Sequence, residues 1–444
     1  MTIKALPLTF RSDLIQLIHK HLEAGKCGAL IGVASSGKSR LVEFMGRPDA
    51  RECYLGEAWP RTLFPWVDGN DLLEYSEWGL CEKILSAVLV ELDRLPNGAD
   101  MRRAVTPWYW KLTQLENRHL ARRLVGFALA ELKDIRRIVL LLDDFEHFIA
   151  HADDAVFRGL RALRDAFKHD HEYRLLYLLF SRHQPVVLRE TISPDYESFL
   201  ELFKNFTHPI GCYSREDALF MIERLSEAYP LNRRTMTLEL AEQLYRVTGG
   251  HAGLMDAAFH SKTEAAWGQG DLARVLINAA GVWNECDSIW GGLDDDERSV
   301  LMAVVNGRDP GGAATRWLEA TGLISRDTDS APQVIELARL FLAALASQPP
   351  EIQPDEQRRA LNVEGCVVEL TEREFALAQA LWKARGNWKP YAELYRAVYP
   401  GRPEADTLIL DVREIGRRVV AKVRRACAGR SIIFNDPERG FRMV

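Results

Sequence analysis

Gly32-Val33-Ala34-Ser35-Ser36-Gly37-Lys38-Ser39 reads GxxxxGKS, and the residues around it decide the fold. An apolar, strand-like run, Ala29-Leu30-Ile31, precedes it, and a helix-like run, Arg40-Leu41-Val42-Glu43-Phe44-Met45, follows it. Gly32 and Gly37 let the backbone curl. Successive N–H groups, Ser36 among them, and the N-terminus of the following helix then face a phosphate chain. Lys38 reaches the outer phosphates, the Ser39 hydroxyl is positioned to ligate magnesium, and Arg40 is counted with the nucleotide-binding residues. The pattern predicts a site for ATP or ADP with Mg2+.

Such a loop needs an acidic partner on a neighbouring strand. Ile138-Val139-Leu140-Leu141-Leu142-Asp143-Asp144 supplies a continuous apolar run of the kind a buried parallel strand carries, ending in two carboxylates. Asp143 would hold magnesium, while Asp144 or Glu146 would orient or deprotonate the attacking water. A third run, Arg174-Leu175-Leu176-Tyr177-Leu178-Leu179-Phe180, ends in Ser181-Arg182. Ligands gather at the carboxyl ends of parallel strands, so Arg182 is expected to contact the terminal phosphate. Leu63-Phe64-Pro65-Trp66-Val67 reads as another strand, and Trp78 to Leu92, Asn117 to Leu132 and Ala155 to Phe167 read as amphipathic helices. Alternating strands and helices define an α/β class with a parallel sheet. Arg161 and Arg164 read as a solvated helix face and are left out of the site.

Composition fits about three domains: 444 residues, 47% hydrophobic and 27% charged. The seven cysteines, Cys27, Cys53, Cys81, Cys212, Cys286, Cys366 and Cys427, include no CxxC pair and no metal-ligand spacing, which points to a reducing cytoplasm. The N-terminus lacks a secretory pattern, and no run reaches the roughly 18 apolar residues of a membrane helix. Charge is unevenly spread. Residues 355–444 hold 17 Lys or Arg against 13 Asp or Glu, whereas the whole chain carries a net charge of −6. A basic C-terminus on an acidic body is a footprint for a polyanion.

Phe10-Arg11, the phosphate loop, Asp143-Asp144, Ser181-Arg182 and Thr248-Gly249-Gly250-His251-Ala252-Gly253 together resemble the STAND branch of AAA-like ATPases over roughly Leu6 to Ser347. The resemblance implies a nucleotide domain, a helical lid and a winged helix. It also implies that Phe10 and Arg11 lie near the base and the Gly249-Gly250 turn close to the nucleotide. Ala252 stands where the family's GxP motif has proline, Asp144 replaces the usual glutamate, and the adjoining winged helix has no matching histidine. Slow, switch-like turnover is the expectation.

Domains are expected at 1–211 (P-loop ATPase), 212–285 (helical lid), 286–347 (winged helix) and 358–444, with a proline-stiffened linker at 348–357. Ser214 to Ala266 reads as three helices capped at Ser214. From Leu293, helices around Glu297–Val305 and Ala313–Thr321 precede Gly322-Leu323-Ile324-Ser325-Arg326, a polar turn and a helix from Gln333. Beyond the linker, two short strands flank Glu364-Gly365, and Thr371 with Glu374 forms a capping box. Helices follow near Thr371–Ala384, Tyr391–Val398 and Thr407–Ala426, before a closing hairpin. On a wheel of the last helix, Leu408, Val412, Ile415, Val419, Val423 and Ala426 form one stripe. Arg413, Arg417 and Arg424 lie opposite it, with Arg418, Lys422 and Arg425 on a flank.

This segment resembles the OmpR/PhoB-type winged-helix DNA-binding domain over roughly Arg358 to Val444, through Glu369-Leu370-Thr371-Glu372-Arg373-Glu374-Phe375, Leu410-Asp411-Val412-Arg413-Glu414-Ile415-Gly416-Arg417-Arg418 and Glu438-Arg439-Gly440-Phe441-Arg442. The resemblance implies a third helix that reads duplex DNA and a wing in which Gly440 turns, Phe441 packs, and Arg439 or Arg442 reaches a phosphate or the minor groove. Taken together, the sequence predicts a cytoplasmic, ATP-dependent switch that binds double-stranded DNA, with a homo-oligomer in the ATP state and a protein partner or inducer as further partners, in the role of a transcriptional regulator. Two other classes stay open. One is an oligomerising ATPase acting on DNA or partner proteins in a defence or mobile-element system; the other is a signalling scaffold whose winged helix binds protein.

Overall fold

A computed structural model of the chain describes residues 4–115, 118–169, 172–189, 191–229, 236–261, 272–326, 331–347, 352–363, 366–384, 387–401, 406–426, 432–436 and 439–443. It divides into two compact units, residues 1–292 with 320–323, and residues 293–319 with 324–444. Asn117, Glu364-Gly365, Cys427, Glu438 and residues 348–351 of the expected linker lie outside the described residues.

The first unit is built on a parallel sheet. Its strands are β1 (Gly28–Ile31), β2 (Thr62–Leu63), β3 (Trp66–Asp68), β4 (Arg137–Asp143), β7 (Leu175–Ser181) and β8 (Thr207–Pro209), while β5 (Lys168–His169) and β6 (Glu172–Tyr173) form a separate hairpin. The order across the sheet is β2-β4-β7-β1-β8, with β3 pairing β4 beyond β2. Every residue of β1, β4 and β7 is buried, as expected of strands covered by helices on both faces. Ile31 is in register with Ser181, and Asp68 with Asp143, so the ends of β1, β3, β4 and β7 share one edge.

The run Leu63-Phe64-Pro65-Trp66-Val67, read as one strand, is split at Phe64-Pro65 into β2 and β3. Pro65 has no N–H for a ladder, although its carbonyl still accepts from Leu141 N at 2.9 Å. The helix Gly98–Thr113 has no counterpart in the sequence reading, because Pro107 sits inside it. Arg161 and Arg164 are not a free solvated face: Arg161 donates to the Ser198 carbonyl at 2.7 Å, and Arg164 is buried.

Among the described residues, five helices follow the sheet: Arg215–Ala228, Leu238–Thr248, Ala252–His260, Leu272–Ile277 and Ala280–Gly291. Ser214, Thr237 and His251 each cap a helix by accepting from a backbone N–H, at 3.1, 3.3 and 3.3 Å. The boundary drawn at 285/286 falls inside the last of these helices. Its Val282, Cys286 and Ile289 are buried, and it packs on Ala252–His260 within the same unit as the phosphate loop.

In the second unit, helices Asp295–Val305 and Gly312–Ala320 precede a hairpin of β9 (Ile324–Ser325) and β10 (Gln333–Val334) and the helix Glu336–Ser347. Gln333, read as a helix start, is therefore a strand residue. Further on, β11 (Ile352–Asp355), β12 (Ala360–Val363) and β13 (Cys366–Glu369) form an antiparallel sheet. The stretch 352–355, read as linker, is its first strand, because Ile352 is buried and pairs with Val363. Helices Glu372–Lys383, Tyr391–Val398 and Asp406–Ala426 follow, closed by the hairpin of β14 (Ile433–Asp436) and β15 (Gly440–Met443). Thr371 and Glu374 form the expected capping box, and Val412, Ile415, Val419 and Val423 are buried as the helical stripe predicts.

One buried ion pair braces the first unit. Arg51 and Glu91 are each 1% exposed and paired. Arg51 Nε also donates to the Met45 carbonyl at the end of the phosphate-loop helix (2.8 Å), and Glu91 Oε1 accepts from Phe64 N beside β2 (3.1 Å). Removing one partner leaves a buried charge uncompensated. Glu91→Ala is expected to destabilise the unit by about 3 to 5 kcal/mol in urea unfolding, with the added Arg51→Ala costing much less than a second such step.

Candidate functional site

The loop Gly32–Gly37 leaves the end of β1 and enters the helix Lys38–Met45, whose cap Gly37 has φ 89°. That left-handed value suits glycine, and a side chain at Gly37 would also meet the Tyr213 hydroxyl at 2.8 Å. Lys38 is 7% exposed, and its Nζ donates to the carbonyls of Gly32 (2.7 Å) and Val33 (3.1 Å). Burial pushes its ammonium down to about 8, against the opposing pull of Glu146, Asp144 and Asp143. Ser39 is exposed at the mouth of the cleft, and Arg40 lines it.

Asp143 ends β4 at 2% exposure. Burial first, then the nearby Asp144 and Asp68 carboxylates, push its carboxyl up to about 7, and Lys38 draws it back only in part. Asp144 has φ 46°, donates its N–H to Asp143 Oδ1 at 3.2 Å, and accepts from Asn70 Nδ2 at 3.1 Å. Glu146 accepts from the backbone N–H of Arg182, whose exposed side chain lines the cleft with Asp144. The Ser39 hydroxyl and the Asp143 carboxyl, once deprotonated, are oxygen donors of the kind a hard cation takes.

The cleft, about 400 Å³, is completed by Ala252, Gly253, Asp256, Ala257 and Glu285 from the helices after the sheet. The Gly253 N–H donates to the Ser35 carbonyl at 3.0 Å. A Cβ on Gly253 would meet Ser35 Cβ at 2.4 Å, so only glycine permits this approach. His251 is buried, and burial pushes its imidazole down to about 4; it is neutral and caps its helix. Four non-glycine residues have positive φ among the described ones; two of them, Ser35 and Asp144, line this cleft, and a third, Arg11, bonds the Ser36 carbonyl from behind the loop.

Phe10 and Arg11 take structural places. Phe10 is fully buried between the rings of Phe44 (5.5 Å) and Tyr213 (5.6 Å). The Arg11 guanidinium donates to the carbonyls of Ser36 and Gly211, both at 2.9 Å, and lies 4.6 Å from the Tyr213 ring. It therefore clamps the phosphate loop to the chain leaving β8. A larger cleft of about 880 Å³ also borders Arg11, with Ser12, Asp13, His208, Cys212 and Asp217, but contains none of the residues Gly32–Ser39.

Asp68, Tyr213, Asp256 and Glu285 escaped the sequence reading, and Gly253 entered it only as the end of the Thr248–Gly253 motif, without a role. Asp68 carried a readable signal, since it ends the run Leu63–Val67 just as Asp143 ends its own. The other four reach the loop only through long-range packing.

On the C-terminal helix Asp406–Ala426, Arg417 and Arg418 are exposed, as is Arg425. Arg413 is half-buried, its guanidinium 4.6 Å from the Tyr391 ring, and Lys422 pairs with Glu374 at 2.8 Å. Those two residues thus support packing within the unit. The side chain of Arg424 lies outside the described residues. Arg439 is exposed beside Gly440, whose φ of 95° and close approach to the Lys389 carbonyl require glycine. Phe441 is buried, and Arg442 lies 5.1 Å from the Trp388 ring.

The parallel sheet, the loop over a buried lysine and the acidic end of β4 define a P-loop nucleoside triphosphatase fold. No protein-family model and no curated protein matches the chain. Among solved structures it is similar to the Aeropyrum pernix ORC2 protein in its ADPNP–ADP complexes (14% identity over 76% of this chain and 94% of that one, TM-score 0.40). It is also similar to a Walker-type ATPase of Pyrococcus abyssi (14% identity, 77% and 100%, TM-score 0.43) and to domain III of the Thermotoga maritima replication initiation protein DnaA (13% identity, 63% and 93%, TM-score 0.33). Likeness at this level assigns neither a ligand nor an activity. No helix among the described residues is long and apolar enough to cross a membrane.

The raised carboxyl of Asp143 has a stability consequence. A carboxyl whose folded-state value lies above its unfolded one costs stability as pH rises through the folded value, and the cost vanishes where both states are protonated. Asp143→Asn is therefore expected to melt at least about 2 °C above the wild type at pH 8. The difference should shrink through pH 7 and vanish near pH 4 in scanning calorimetry.

Proposed function

We propose that the chain is an ATP-binding, slowly hydrolysing switch that binds duplex DNA through its C-terminal unit, in the role of a nucleotide-gated transcriptional regulator. The observation that carries the nucleotide half is a single cleft bordered by Lys38, Ser39, Asp144 and Arg182, with the Gly253 amide bonded to its loop. In this reading Gly32, Ser36 and Gly37 cradle the phosphates, Lys38 and Arg182 neutralise the outer ones, and Ser39 with Asp143 holds Mg2+. Asp144 or Glu146 orients water. Arg11 keeps the loop in shape from behind and Phe10 supports Arg11, which refines the expectation that both border the base. The direct link between Gly253 and Ser35 favours a switch, since a change at the loop is transmitted to the helices after the sheet.

The DNA half is supported by a helix anchored through Val412, Ile415, Val419 and Val423 that exposes Arg417, Arg418 and Arg425, and by the antiparallel hairpin carrying Arg439. That arrangement suits a winged helix whose third helix enters a major groove. Arg413 and Lys422, engaged with Tyr391 and Glu374, are placed second among the contacts.

Lys38→Ala should abolish binding of ATP and ADP in equilibrium dialysis while leaving the melting temperature of the unliganded protein within a few degrees; retained binding would remove the site assignment. Arg417→Ala with Arg418→Ala should weaken duplex binding and lower the slope of log affinity against log salt by about 2, one for each lost phosphate contact. An unchanged slope would remove this helix from the interface.

A further inference from the structure

The wall of the cleft facing the phosphate loop is acidic. Asp256, on the helix Ala252–His260, and Glu285, on the helix Ala280–Gly291, both line it. Glu285 reaches furthest in: a Cβ built on Gly253 would meet its Oε1 at 2.2 Å and Ser35 Cβ at 2.4 Å, so the carboxylate lies beside the tip of the phosphate loop. Its Oε1 is buried and finds no hydrogen-bond donor, and Glu285 makes no ion pair among the described residues. The carboxylate thus stands in the wall of the cleft with no cation paired to it among the described residues. Burial and the neighbouring Asp256 push its carboxyl up, while the Ser35 hydroxyl opposes the shift.

We propose that Glu285 is a specificity-determining residue that sets the preference of this cleft for a nucleoside diphosphate over a triphosphate. The inference rests on the nucleotide-site reading above and adds the discrimination. The loop amides and Lys38 serve phosphates in either ligand, whereas a terminal phosphate brings further negative charge towards the side of the cleft that Glu285 occupies. Two like charges several ångströms apart in a partly dehydrated cleft repel by enough to shift an affinity about tenfold. Because Glu285 stands on the same wall as Gly253, relief of that repulsion also works against the Gly253–Ser35 bond. A triphosphate therefore loosens the wall that a diphosphate leaves in place.

The test compares Mg–ADP and the non-hydrolysable triphosphate Mg–AMP-PNP by titration calorimetry on the full-length wild type and the isosteric Glu285→Gln, with Asp256→Asn alongside. The wild type should bind ADP more tightly. Glu285→Gln should bind AMP-PNP about tenfold more tightly than the wild type and ADP within about twofold of it, and Asp256→Asn should shift the ratio the same way by less. An unchanged ratio with ADP binding intact, or an equal loss of both ligands in Glu285→Gln, would overturn the role of Glu285 and leave the site standing. Failure of the wild type to bind either ligand would overturn the nucleotide site itself, and the discrimination with it.

Discussion

An ammonium group buried under its own loop is the constraint on which the first unit turns. Lys38 has two backbone carbonyls as hydrogen-bond partners, and the nearest acids, Asp143, Asp144 and Glu146, pull on it without outweighing its desolvation. The same desolvation, with Asp144 and Asp68 nearby, pushes the Asp143 carboxyl up to about 7. Under the proposed function, a polyphosphate would supply the charge that Lys38 lacks, and a magnesium ion the one beside Asp143. Buried ionisable groups of opposite sign, each shifted towards its neutral form, are a pattern that clusters at functional sites.

The surroundings keep that geometry in place at the expense of local strain. Arg11, Ser35 and Asp144 all adopt left-handed backbone, which costs about 1 to 2 kcal/mol per non-glycine residue. Each is over-determined by its contacts. Arg11 is fixed by Ser36, Gly211 and Asp217, Ser35 by the Gly253 amide, and Asp144 by Asn70 and Asp143. Arg51 and Glu91 extend the support to the far end of the phosphate-loop helix. The loop is therefore joined to the N-terminal segment, the sheet edge and the following helices together.

The parts of this arrangement that were legible in the sequence share a cause. The strands β1, β4 and β7 are continuous apolar runs because both faces are buried, and their polar terminal residues announce the sheet edge. Thr371 and Glu374, Ser214 and the stripe Val412–Val423 were legible because capping and helical periodicity are local. What escaped depends on partners distant in the chain. Glu285 is an ordinary helix glutamate until Gly253 and Ser35 meet it, and the strand at Ile352–Asp355 exists only because Ala360–Val363 pairs with it. A helical wheel groups Arg413 and Lys422 with the exposed arginines, but it cannot see Tyr391 or Glu374 folding over them. Resemblance places Phe10 and Arg11 beside the base, whereas their burial and their contacts with Phe44, Tyr213, Ser36 and Gly211 give them a bracing role that no spacing discloses.

The proposed switch couples a nucleotide site to a duplex-binding one. The most direct measurement is duplex DNA binding by the full-length protein at fixed salt, with ATP, with ADP and without nucleotide, and with particle mass followed in parallel. Coupling of the two sites gives an affinity that changes with the nucleotide and tracks assembly. Equal affinity in all three conditions, or no binding in any, would contradict it.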